Sequence, residues 1–599
     1  MGRFSIKIGA MSGQGVDTVG KILARALKNT GFNVFGYREY PSLIKGGNAS
    51  YQIDFSDGEI NSSKKEVDVC VVLTEQHTKW YLDEIKNGGI IIHDIKRVRF
   101  TEAESKLLKE KNISFIYIPA TELSTKVGGN YMMSNIVVLG YLWKLLHLPL
   151  NVLAETVLDN FKSKVEIGKI NALVLREGFS FVPVSFSDYK FRLHPMGFDK
   201  VEFSPLDMER LNTFFPTFNL KEGNKSKLLV SGNEAVALGS ISSGVRVFFG
   251  YPMTPSSGIL TYLGAKSHQT KMVVKQVEDE ITAIGSTLGA MFAGTRALTA
   301  TSGGGFDLMT EHVSLSGITE VPLVVVVGQR PGPATGLPTW TTQADLMLAL
   351  HAGHGEFPRI VIAPSDPEDI YYKLQEAFNI SEKYQVPVIF LTDKLLAESL
   401  YLTNTFDENK VSIERYLVTE DRENLHRYED TENGVSPRWN PGTLKTTYVI
   451  NSDEHDIDGN VIEDSEGAIK MQEKRHRKTE YILKDLPEPE VIKKNEVGDG
   501  SKYKVGLIGW GSTKGVMKDV VDSMEGVAAL SYTYVFPLKV EALKSFIDKC
   551  EKVVMIEGNF NSQLGELIKL ETGIDIKDKI LKYDGRPFFL DEVIKKLND

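Results

Sequence analysis

Residues 245–258 read VRVFFGYPMTPSSG, an apolar run that ends in a loop stiffened by Pro252 and Pro255. The loop also carries the hydroxyls of Thr254, Ser256 and Ser257. A connection that merely joins a strand to a helix needs turn residues; fixed φ angles together with hydroxyl groups indicate a strand whose carboxyl end holds a ligand. Similar runs follow in MVVKQVE, RALTAT, PLVVVVG, RIVIAP and VPVIFLTD, the last two separated by the helical stretch DPEDIYYKLQEAFNISEKY. Buried-type strands alternating with helices predict a doubly wound α/β domain over residues 227–404. Its ligand crevice should lie at the strands' carboxyl ends, where YPMTPSS sits.

The same alternation begins the chain. FSIKIGA, the glycine turn GAMSGQG and the helix VDTVGKILARALKNTG are followed by the strands VDVCVVL and GIIIHD and by helices including SNIVVLGYLWKLLHL and LAETVLDNFKSK. This predicts an α/β domain over residues 1–195, with a parallel sheet covered on both faces. Residues 196–226 read as a linker. Residues 405–500 are polar, and no stretch there is periodic enough to assign an element. A smaller α/β domain over residues 501–599 restarts with YKVGLIGWGS, and no short repeat links the three domains.

The length of 599 residues suits three or four domains of roughly 100–200 residues. The chain has no run of 18 or more apolar residues and starts on MGRFSIKIGA without a signal-type apolar core, so a cytoplasmic location is expected. A formal charge of −10 argues against nucleic acid as a partner. The only cysteines, Cys70 and Cys550, exclude a disulfide framework and a four-cysteine cluster or zinc site within the chain. An electron-transfer centre would have to sit on a partner.

Gly9, Gly13 and Gly15 lie between a strand and a helix, where backbone N–H groups and the helix dipole can receive an anion. Two readings stand: a tight turn with close packing, or a site for a phosphate-bearing ligand such as coenzyme A. GWGSTKG at 509–515 matches no phosphate fingerprint and reads as a turn. VGDGS at 497–501 begins like the magnesium-diphosphate motif of thiamine enzymes, but the asparagines that complete that motif are missing, so it reads as a linker turn. His351 and His354 lack a third ligand, and no metal is assigned. Glu278, Asp279 and Glu280 open a helix with apolar and small faces. One of these carboxyls pointing inward to a dry pocket would tend to keep its proton and could trade it with a ring nitrogen. Arg330 ends PLVVVVGQR at the same sheet edge as YPMTPSS, placed to fork a carboxylate.

GNEAVALGSISSG, YPMTPSS, VEDEITAIGS, TATSGGGFDLM, GQRPGPATGLPT and HGEFPRIVIAP together resemble the alpha subunit of the 2-oxoacid:ferredoxin oxidoreductases. SDEHDIDG, KRHRK, EGNFNSQL and YDGRPF continue the resemblance in order to residue 587. GQGV, YPSLIKGGNASY and NYMMSNIVVLG are similar to the family's gamma subunit. The whole thus resembles a gamma–alpha fusion. Met253 stands where the family usually has isoleucine, Ser12 replaces a glycine of GGQG, and Gly304 stands where proline is commoner.

The resemblance implies a gamma-type α/β domain, a pyrimidine-binding domain for thiamine diphosphate and a C-terminal transketolase-C-like domain. It also implies a beta subunit that supplies the diphosphate–Mg²⁺ half of the cofactor site and at least one [4Fe–4S] cluster, in a heterodimer or a dimer of heterodimers. Glu280 would contact the pyrimidine N1′ and promote its imino tautomer. Thr254 and Arg330 would hold the substrate's carboxylate and carbonyl edge. Tyr251, Pro252, Pro255, Ser256, Thr301 and Ser302 would line the cofactor, and Gly13 and Gly15 would meet coenzyme A. The implied reaction is CoA-linked oxidative decarboxylation of 2-oxoglutarate or several 2-oxoacids, giving acyl-CoA, CO₂ and reduced ferredoxin, with reverse carboxylation also open. The rival readings are an indolepyruvate or branched-chain member of the family, and a binding subunit that keeps the fold without the chemistry.

Overall fold

The computed structural model describes residues 2–43, 46–95, 100–182, 224, 226–495 and 501–599. Nearly all of the expected linker at 196–226 and residues 497–500 of VGDGS fall outside these. By contacts the chain forms two compact units: Met1–Leu229 with Ser399–Asn404 and Phe589–Asp599, and Val230–Glu398 with Thr405–Phe588. These units do not coincide with domain ends drawn at 404 and 599, because two short segments return to the first unit.

The first unit is built on an eight-stranded sheet, and here the expectation of a parallel sheet needs correction. Ser114–Tyr117, Ile85–His93, Val67–Val72 and Arg3–Met11 run parallel. Beyond them Asn48–Ser56, Asn33–Glu39 and Leu400–Thr403 add antiparallel neighbours. Their sequences hid them because polar residues stand in the buried middle of the sheet. Gln52 Nε2 donates to Ser5 Oγ at 3.1 Å, and Asp54 accepts from Arg3 Nε at 3.3 Å, so burial is tolerated through pairing and not through an apolar run. Leu400 and Tyr401 pair with Gly36 and Phe35, and the Phe35 and Tyr401 rings meet edge-on at 5.0 Å. Phe589 packs its ring on Tyr37, Leu590 N donates to Ser63 O at 3.0 Å, and Asp591 accepts from the N–H groups of Lys65 and Glu66.

In the second unit the six strands expected over residues 227–404 form, with one further strand, a seven-stranded sheet. Its order is Tyr534–Phe536, Ile360–Ile362, Pro387–Asp393, Leu323–Gln329, Ala297–Thr301, Val247–Gly250, Val273–Gln276. Every pair is parallel except the first, where Tyr534–Phe536 from the C-terminal region runs antiparallel. Leu323–Gln329 and Pro387–Asp393 are buried along their whole length, as central strands with covered faces require. The chain leaves Val247–Gly250 toward one neighbour and later returns on its other side as Ala297–Thr301, which makes a topological switch point between those two strands. A third sheet orders Glu490–Lys493, Val527–Tyr532, Tyr503–Trp510, Cys550–Glu557 and Asp578–Leu581.

Residues 405–500 hold an element that the sequence did not reveal: a helix, Ser465–Asp485. Its buried residues are Met471, Lys474, Arg475, Lys478 and Ile482, a helical stripe made largely of cations. Lys474 Nζ meets Glu320 Oε1 at 2.6 Å, and Lys478 meets the other oxygen of the same carboxylate. Apolar periodicity is silent about a face that packs through charge.

Candidate active site

The switch point brings segments 251–256 and 301–305 to neighbouring strand ends. In the first loop Ser256 Oγ donates to Met253 O at 2.9 Å, so its proton serves the turn and does not project. The Thr254–Pro255 bond is cis, and Asn233 Nδ2 donates to Pro255 O at 2.8 Å. Tyr251 and Pro252 stay exposed at the mouth. Arg330, just past the strand Leu323–Gln329, donates from Nη1 to Thr254 O at 2.9 Å, which joins the two residues expected to hold a substrate. Partial burial pulls the Arg330 guanidinium below its ordinary value, and Asp345 opposes that pull.

Of the acidic triplet, Glu278 is exposed and Asp279 caps the helix Glu280–Phe292, accepting from Thr282 N at 2.7 Å. Glu280 is the one that turns inward, with only 4% of its surface exposed and no hydrogen-bond partner for Oε1 among the described residues. The first turn of the short helix Gly303–Asp307 presses on it. A methyl on Gly305 would lie 2.7 Å from Glu280 Oε1 and 2.1 Å from Thr301 Oγ1, so only glycine allows this approach. Thr301 is fully buried, its hydroxyl directed at Met253 Sδ 3.8 Å away, and the buried Ser302 hydroxyl has no partner.

Buried polar atoms without partners are costly, and Glu280 Oε1 and Ser302 Oγ, which flank the start of the helix Gly303–Asp307, are two that the described residues leave open to a polar ligand. A third such atom, Asp345 Oδ2, belongs to a residue that sequence reasoning missed. Burial, with Asp307 adding to it and Arg330 opposing, pushes the Asp345 carboxyl up to about 7. Nothing in TTQADLM distinguishes that aspartate from a surface one. Gly13 and Gly15 belong to the first unit. They adopt φ of 94° and 79° before the helix Val16–Thr30 and border a recess of about 340 Å³ with Ser12, Asp17, Arg38 and Tyr40. Arg38 pairs with Asp17 at 2.9 Å and lies over the Tyr40 ring.

A parallel α/β crevice at a topological switch point, with an inward carboxyl and an arginine at its edge, has the form of an enzyme site. The comparisons agree. The family model for pyruvate flavodoxin/ferredoxin oxidoreductase, thiamine diphosphate-binding, matches residues 238–474, and that for pyruvate ferredoxin/flavodoxin oxidoreductase matches 5–181. The chain is 32% identical to the 2-oxoacid:ferredoxin oxidoreductase subunit alpha of a Sulfolobus species, over 99% of its own length and 96% of the relative's. Over 28% of its length it is 43% identical to the 2-oxoglutarate synthase subunit KorA of Methanothermobacter marburgensis, covering 44% of that chain. The solved 2-oxoglutarate:ferredoxin oxidoreductase from Magnetococcus marinus, with 2-oxoglutarate, coenzyme A and succinyl-CoA bound, matches with a TM-score of 0.87 at 29% identity, over 100% of this chain and 99% of that one. The chain belongs to the 2-oxoacid:ferredoxin oxidoreductase alpha subunits, the family its motifs indicated.

Proposed function

We propose that this chain is the gamma-fused alpha subunit that catalyses CoA-linked oxidative decarboxylation of a 2-oxoacid, 2-oxoglutarate or a range including it, to acyl-CoA, CO₂ and reduced ferredoxin. The observation that carries the reading is Glu280: a buried carboxyl whose Oε1 has no partner among the described residues, set beside Gly305 and Thr301, whose hydroxyl is directed at Met253 next to Thr254. A ring nitrogen that must gain and lose a proton fits such an oxygen, and the open Ser302 hydroxyl suits the polar edge of the same ring. The residues therefore fit the pyrimidine end of thiamine diphosphate. When bound, that cofactor supplies the nucleophilic carbon and the electron sink for decarboxylation.

In this reading Glu280 holds a proton at the pyrimidine N1′, and the first turn of the helix Gly303–Asp307 keeps water away from it. Tyr251, Pro252, Pro255, Ser256 and Thr301 shape the wall of the cofactor site. Thr254 and Arg330 orient the substrate carboxylate. Gly13 and Gly15 receive a phosphate of coenzyme A in the recess beside Arg38. A beta subunit completes the diphosphate–Mg²⁺ half and carries the [4Fe–4S] cluster, since two cysteines cannot supply four thiolates. The working unit is a heterodimer or a dimer of heterodimers, and ferredoxin takes the electrons one at a time.

The test is Glu280→Gln in the complex co-purified with its beta subunit, assayed with 2-oxoglutarate, coenzyme A and ferredoxin. Turnover should fall by about 10²-fold or more while the complex stays assembled. Wild-type turnover by this variant would remove Glu280 from the role.

A further inference from the structure

Asp345 directly precedes the helix Leu346–His351, and its segment is held from both sides. Its own N–H donates to Gln329 Oε1 at 3.0 Å. Next to it, Gln563 Nε2 donates to Ala344 O at 2.7 Å, while Gln343 N donates to Gly558 O and Gln343 Nε2 to Trp510 O. The carboxyl group is turned onto Gly303, where a methyl would lie 2.6 Å from Oδ2 and 2.8 Å from Oδ1. It is therefore fixed within the crevice, with Oδ2 buried and unpartnered.

Two charged groups act on this carboxyl: Asp307, at the end of the short helix Gly303–Asp307, and Arg330 beyond the strand Leu323–Gln329. Arg330 feels Asp345 in return, yet among the described residues it forms no ion pair, and its recorded hydrogen bond goes to a neutral carbonyl. The guanidinium thus feels an internal carboxylate without pairing with it, and its remaining N–H groups are open to an entering anion. Burial and Asp307 both favour the neutral acid, which places its ionisation near neutral pH.

We infer that Asp345 is an affinity-determining residue of the substrate site: ionised, it competes with the 2-oxoacid carboxylate for Arg330; protonated, it gives way. The inference rests on the reading that Arg330 holds the substrate. Because the backbone of the segment is held from both sides, the carboxyl's charge is felt at the site whenever substrate binds, and the effect falls on binding more than on the chemical step.

The experiment uses the assembled complex, with KM for 2-oxoglutarate measured from pH 6 to 8 at saturating coenzyme A. Both substrate carboxylates stay ionised over that range. The wild-type KM should rise about five- to tenfold as pH rises through neutrality. In Asp345→Asn it should stay near the low-pH value throughout, with kcat changed by less than about threefold. Asp345→Ser, smaller and uncharged, should show the same flat profile. A pH-independent wild-type KM, or neutral variants that keep the wild-type profile, would overturn the inference. Arg330→Gln separates the two layers. An unchanged KM in that variant sinks the reading of Arg330 and the inference with it, whereas a KM raised by Arg330→Gln but indifferent to Asp345 overturns the inference alone.

Discussion

Glu280 and Gly305 show how tightly single residues are matched in this crevice. With a methyl only 2.1 Å from Thr301 Oγ1 and 2.7 Å from Glu280 Oε1, Gly305→Ala must displace one of them. Overpacking of this kind costs about 1–3 kcal/mol, a modest loss for a unit of this size. The catalytic cost should be larger, about tenfold or more, because the carboxyl loses its alignment. A thermal melt alongside a turnover assay checks this: a folded protein with normal turnover would show that Glu280 tolerates the shift. The acidic triplet 278–280 was legible because carboxylates opening an apolar helix are conspicuous; the family resemblance singled out Glu280, and the fold turns that one of the three inward. Asp345 was not, since its importance comes from being turned onto Gly303 and toward Arg330, a relation made by folding alone. Ser256 was legible as part of the loop, but its hydroxyl is taken up by Met253 O.

At the scale of elements, the strands of the second unit could be read directly because they are apolar throughout, whereas the helix Ser465–Asp485 could not. That helix docks Lys474 and Lys478 on the two oxygens of Glu320, while Arg427 donates to the Glu320 backbone carbonyl at 2.8 Å. The cations hold the Glu320 carboxyl far below the usual range despite its burial. Glu320→Gln leaves buried ammonium groups without a counter-charge and should cost about 3–5 kcal/mol, seen as a lower urea midpoint. Lys478→Met should be neutral or up to about 2 kcal/mol stabilising, because a single carboxylate serves two ammoniums. Burial first, and Lys474 with it, pull the Lys478 ammonium down to about 8 against the attraction of Glu320. Between pH 8 and about 10 the unfolded chain therefore binds a proton that the native chain has released, so this site's contribution to stability rises with pH there. The advantage of Lys478→Met should be greatest near pH 7 and shrink above pH 8. Urea melts of both proteins across that range test it, and a constant difference would refute the assignment.

Across the whole molecule, chain order and contact order disagree. The sequence divided the chain where its composition changes, but the segments Ser399–Asn404 and Phe589–Asp599 return to the first unit. Nothing in their composition marks them, because one strand and one short helix look alike wherever they pack. Removing residues 589–599 takes away the Phe589–Tyr37 contact and the acceptors that Asp591 offers to Lys65 and Glu66. Amide exchange should then speed up in Asn33–Glu39 and around residues 63–67, while the central strand Leu323–Gln329 of the second unit keeps its protection. Equal loosening of both units would show that the tail acts globally.

The returning tail also fixes an order of events during synthesis. The ribosome releases the first two hundred residues long before the eleven that complete their packing, and the edge strand at 400–403 arrives only midway. A chain broken off before residue 400 leaves that sheet without its Leu400–Thr403 strand, and one broken off before residue 589 leaves Tyr37 and Ser63 without their late partners, so the first region made closes only after segments synthesised much later.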